Sequence, residues 1–199
     1  MNEVWFRPYI WMDFRLALLF AMAIPLILLI WSLVKNNDPI QRLLAIYWRV
    51  ASLLIVSLYL AMGALPFAFA SGFLARLLIP LSLWFWVDLN EEIQDQPATP
   101  LKWVFSAWRW AATIYHLLGT LAMVPFLRCS LLQTQAILET PSCTVWLEVP
   151  WRYREIFHSA NTPQFLGFLG MFALTIYALY FLYFLVFRLT KQGRYTTNP

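Results

Sequence analysis

Apolar residues run along this chain in five blocks of roughly twenty residues, each long enough to cross a bilayer as a helix. The blocks are Leu16–Val34, Leu43–Ala64, Gly72–Val87, Trp103–Val124 and Phe165–Phe187. The third is the shortest and stops abruptly at "DLNEEIQDQP". No stretch alternates as a strand does, so the pattern predicts an all-α, polytopic membrane helix bundle of five spans. The opening "MNEVWFRPYIWMDFR" lacks a cleavage-site pattern, so the first block reads as a retained span. Pro25 and Pro80 fall inside blocks and predict kinks, with neighbouring helices supplying donors to the freed carbonyls.

The longest polar connection, residues 128–163, lies between the last two spans. "SLLQTQAILE" begins with a serine suited to an N-cap and predicts a short helix. "VPWRYREIFH" mixes aromatic and charged residues behind a proline, which suits a helix at a membrane surface or against a partner. Trp146, Trp151, Arg152, Tyr153 and Arg154 are the partner-binding candidates there. Cys129 and Cys143, the only two cysteines, both fall in this loop. A disulfide between them would pin the segment on an oxidising side of the membrane.

Composition agrees with the block pattern: 61% of residues are hydrophobic and only 12% charged, against about 25% charged in soluble domains. The net charge of +4 is carried by basic residues near span ends. That placement reads as anchoring and excludes nucleic acid as the natural partner. Lys35, Arg42, Lys102, Arg188, Lys191 and Arg194 share one side, which orients the N-terminus lumenal or outside and the C-terminus cytoplasmic. Arg7 and Arg15 make that bias modest, and the paired cysteines favour the same orientation.

Ionisable residues inside hydrocarbon are functional candidates by default. Arg49, Arg76 and Arg109 each lie five or six residues into a block, shallow enough to snorkel to a headgroup. Arg49 and Arg109 share a depth with Asp88 and Glu92, predicting a polar knot among these four. Asp88, Glu91, Glu92 and Asp95 also form an acidic docking patch for a partner; a metal site is not expected, because no histidine or cysteine lies near. His116 falls mid-membrane. It either ligates a pigment, chlorophyll being the candidate, or hydrogen-bonds to Tyr59 or Ser57 on the second span. No carboxylate falls inside a block, which weighs against an ion path. Catalytic and phosphate-loop motifs are missing, so the chain is not expected to be an enzyme, and no cofactor is assigned.

"MDFRLALLFAMAIPLILLIWSLV", "IQRLLAIYWRVASLLIVSLYL" and "FLARLLIPLSLWFWVDLNEEI" resemble a small multi-pass membrane family of cyanobacteria and plastids, a domain of unknown function. The resemblance covers about Asp13 to Arg188. It implies a thylakoid or cytoplasmic membrane of a phototroph, with photosystem II subunits or assembly intermediates as partners. The expected function is a non-catalytic accessory or assembly factor that binds other membrane proteins and lipids. The alternatives are a chlorophyll- or carotenoid-binding protein using His116, and a small transporter or lipid-handling protein.

Overall fold

The computed structural model describes residues 4–189, and among them there is no strand. Five helices are long and apolar enough to cross a membrane. They are α1 (Arg7–Val34), α2 (Asp38–Met62), α3 (Phe67–Trp84), α5 (Pro100–Met123, continued as a 3-10 stretch to Leu131) and α9 (Pro163–Tyr183, continued beyond). The short α4 (Val87–Gln94) joins α3 to α5. Between α5 and α9 lie α6 (Thr134–Glu139), α7 (Pro141–Thr144) and α8 (Glu148–Phe157). Lys191 and Arg194, used above to orient the chain, lie outside the described residues, as does the side chain of Arg188.

Three spans begin with one device. Asn37, Thr99 and Thr162 accept hydrogen bonds from the N–H groups of Ile40, Lys102 and Phe165, and a proline occupies the first turn each time. The side chain fills an orphan donor, and proline lacks the N–H that would be orphaned there. These starts lie two to five residues before the apolar blocks do, because amphipathic first turns belong to the helix but not to the apolar run. In "SLLQTQAILE" the expected cap fails: Ser130 bonds back to the carbonyl of Leu127 and α6 starts at Thr134.

Pro25 shows how a broken ladder is repaired in lipid. Residues Leu18–Ala23 form a π-helical turn. Proline offers no N–H either to Phe20 in π register or to Ala21 in α register. Trp108 Nε1 donates to the Phe20 carbonyl at 2.9 Å, and Tyr47 Oη to the Ala21 carbonyl at 2.8 Å. No water is available in hydrocarbon to do this.

α2 is the central helix, touching α1, α3, α4, α8 and α9. It meets α9 through small residues. A Cβ built on Gly63 would lie 2.6 Å from the Cα of Gly167, and one on Gly170 2.9 Å from the Leu60 nitrogen. Glycine lets the two backbones touch, the usual basis of helix association in lipid. The apolar interior falls into two clusters. One, towards the N-terminal face, holds Ile10, Leu60, Phe69 and Met123; the other, towards the opposite face, holds Leu28, Leu43, Ile79 and Phe105.

The loop of residues 128–163 covers the N-terminal face. Cys129 and Cys143 form a disulfide there, with Cα atoms 5.9 Å apart. Glu148 ties the loop to α1, accepting from Arg7 Nε at 2.8 Å and Trp11 Nε1 at 3.0 Å. On the opposite face, Asn37 and Gln96 exchange amide hydrogen bonds, and Arg42 pairs with Glu92 at 2.9 Å.

Gly63→Val should loosen α9 and lower the unfolding temperature in detergent, since overpacking against backbone costs about 1–3 kcal/mol. Gly72→Ala should change little, because the nearest atom to its new Cβ is the flexible end of Met123, 3.2 Å away.

Candidate functional site

The two apolar clusters are divided by a polar layer built from α1, α3 and α5. Arg76 is nine residues past the start of α3 and eight before its end. It is therefore at mid-depth, not within snorkelling reach as its place in the apolar block implied, and it is 6% exposed. A guanidinium there needs a counter-charge. Asp13 supplies it: Arg76 Nη2 bonds and ion-pairs with Asp13 Oδ2. The expectation that no carboxylate enters a span is thus corrected. α1 begins at Arg7, so Asp13 lies inside a continuous helix, although it precedes the apolar block.

α5 completes the site. Tyr115 Oη shares its one proton between the Asp13 main-chain carbonyl at 2.8 Å and Asp13 Oδ1 at 2.9 Å. The Arg76 guanidinium stands 5.6 Å from the centre of the Tyr115 ring. One turn on, Gly119 leaves room for it: any Cβ at Gly119 would overlap Arg76 Nη1. Tyr115 and Gly119 are four residues apart and so share a helix face. Asp13 is more accessible than Arg76, with 20% of its side chain exposed against 7%.

His116 adjoins this group and is 1% exposed. Neither of its ring nitrogens has a hydrogen-bond partner, nor has Arg76 Nη1. The expected bonds to Ser57 and Tyr59 are not formed. Ser57 pairs with Ser71 at 2.8 Å, and Tyr59 meets His158 Nε2 at 3.1 Å on the N-terminal face. A chlorophyll macrocycle cannot reach the His116 ring in this packing.

The expected knot of Arg49 and Arg109 with Asp88 and Glu92 is also corrected. α4 buries Asn90 and Ile93, three residues apart, so Asp88, Glu91, Glu92 and Asp95 point outward. Arg109 Nη1 instead donates to Asn90 Oδ1 at 2.5 Å, and its guanidinium stacks 4.1 Å from the Trp84 ring centre. Glu92 is taken by Arg42, and Arg49 reaches the hydroxyl of Tyr180 at 3.5 Å, its one side-chain partner among the described residues. Asp88, Glu91 and Asp95 remain an exposed acidic strip.

Of the loop candidates, Trp146 is a core residue, not a partner contact. It is buried against Phe126 and Phe14, with ring centres 5.3 and 6.4 Å away. Trp151 packs on the same cluster. Arg152 pairs with Glu155, Tyr153 stacks on Phe157 and Arg154 donates to the Asn161 carbonyl.

A family description, Protein of unknown function (DUF3177), matches residues 7–197. The chain is a DUF3177 protein. No curated protein and no solved structure matches it significantly. The family match spans all five helices of this DUF3177 protein and the whole Asp13–Arg76–Tyr115 group, and it carries no assigned chemistry.

Because both His116 nitrogens are buried and unpartnered, His116→Phe should leave the unfolding temperature unchanged or raise it. Removing an unsatisfied polar group of similar shape costs nothing and relieves up to about 1–3 kcal/mol. A fall of several degrees would mean that the imidazole has a partner.

Proposed function

We propose that this DUF3177 protein is a non-catalytic membrane accessory factor that binds a helix of another membrane protein. The observation that carries the reading is the state of α9. Only Leu166, Gly167 and Gly170 are buried in it. Phe165, Phe168, Phe172, Ile176, Leu179 and Tyr183 are exposed and follow one another at steps of three and four residues. That spacing lays a continuous ridge along one side of a helix, the form that seats in the groove of a second helix. Large aromatic side chains give such a ridge much contact area at low entropic cost.

The extra-membrane surfaces support the same reading. The disulfide and the Glu148 contacts order the cover on the N-terminal face, from which Leu131, Ile156 and Phe157 project. The acidic strip of α4 lies on the other face. The resemblance to cyanobacterial and plastid proteins supplies the setting: a thylakoid membrane, and photosystem II subunits in biogenesis as the partners. The basic-residue bias and the paired cysteines support a lumenal N-terminus.

The test is a mild-detergent pull-down of the tagged chain from its own membranes, with partners identified by mass spectrometry. A near-stoichiometric membrane partner, lost when Phe168 and Phe172 are changed to Ala, is the expected result. Reaction-centre or antenna subunits among the partners would support the photosystem setting. A partner-free bundle would contradict the reading.

A further inference from the structure

Of the three arginines inside the apolar blocks, two are answered by protein groups. Arg76 has Asp13, and Arg109 has Asn90 and the Trp84 ring. Arg49 is not answered in this way. It is exposed, and among the described residues no carboxylate lies within ion-pair distance of it. Its polar contact is the neutral hydroxyl of Tyr180, at the long distance of 3.5 Å. A guanidinium facing lipid cannot rest in hydrocarbon, and its stem must carry it to an anion at the headgroup level.

The surroundings of Arg49 are built for more than snorkelling. α2 and α9 run antiparallel, with their backbones in contact at the glycines near the N-terminal face. After Gly170 no residue of α9 is buried within Pro163–Tyr183, so the seam of the two helices lies open to lipid towards the other face. Arg49 and Tyr180 stand on its two sides. Trp86 and Phe184, with ring centres 6.3 Å apart, lie at its outer end. Arg49 is about 10 Å deeper than Arg42, at 1.5 Å per residue. Planar, bidentate donors suit phosphate, and aromatic rings at the outer end sit at the headgroup level.

We propose that Arg49 anchors a binding site for the phosphodiester headgroup of an anionic lipid, at the seam of α2 and α9 in the leaflet of the C-terminal face. Tyr180 donates a second hydrogen bond to the same phosphate, and Trp86 and Phe184, on the water side of Arg49, flank the headgroup. This inference does not depend on a protein partner for the aromatic ridge.

The test uses the full chain reconstituted in phosphatidylcholine vesicles with a minor fraction of phosphatidylglycerol, then released for native mass spectrometry. The wild type should retain phosphatidylglycerol in preference to phosphatidylcholine. Arg49→Gln should lower that retention about tenfold, as expected for losing one charge-assisted hydrogen bond. Arg49→Lys should recover part of it, and Arg42→Gln, on the same face but paired with Glu92, should not change it. Phe184→Ala, which leaves the guanidinium in place, should also weaken retention. Equal retention by Arg49→Gln, or no lipid preference in the wild type, overturns the proposal. Displacement of the lipid by inorganic phosphate would assign the site to a free anion and overturn it too. Unchanged lipid retention with loss of a co-purifying membrane protein would assign Arg49 to a protein carboxylate instead.

Discussion

The buried ion pair between Arg76 and Asp13 sets the arrangement of the bundle. A cation at the middle of α3 has to be neutralised inside the protein, and the carboxylate that does so lies on α1. That requirement brings α1 against α3 at one height. It also requires Gly119 on α5, because any larger residue would occupy the space of the guanidinium. Tyr115 then holds Asp13 by one shared hydrogen bond, which fixes α5 to α1. The interior consequently divides into two apolar clusters with a polar layer between them. Lipid offers little hydrophobic drive for helices to associate, so such polar contacts weigh heavily in choosing which helices meet.

α1 illustrates the point along its whole length. Directed bonds tie it to the bundle at several levels: Arg7 and Trp11 to Glu148, Asp13 to Arg76 and Tyr115, and the Phe20 and Ala21 carbonyls to Trp108 and Tyr47. α9 is the opposite case. It is held by glycine contacts at one end and presents aromatic side chains elsewhere. The molecule thus combines a core of four helices locked by polar groups with a fifth whose outer side is open to lipid or to another helix.

Much of this was legible in the sequence. Block length alone located the five spans, the pairing of Cys129 with Cys143 followed from their place in one loop, and Pro25 announced the repaired break in α1. The site was not legible, for a physical reason. An apolar block marks where a helix crosses hydrocarbon, not where the helix begins. Asp13 precedes its block and Arg76 sits near the edge of another, so both looked shallow. Pro8 in the first turn of α1 and Pro66 just before α3 carried the missing signal, since they mark the true starts of these two helices. The misassigned knot has a similar cause. Matching Arg109 to the acids of α4 by depth ignored the helix face, and Asn90, two positions from Asp88, is the residue that turns inward.

The measurement that bears most directly on this account is a double-mutant cycle on Asp13 and Arg76, read as unfolding free energy in detergent micelles. Asp13→Asn and Arg76→Met should each destabilise by about 3–5 kcal/mol, because each leaves a buried group without its partner or the bundle without its link. Together they should cost less than the sum by a coupling of about 1–3 kcal/mol, the range for residues in direct contact. Additive losses would mean that the two residues act independently, and the bundle would then owe its arrangement to something other than this ion pair.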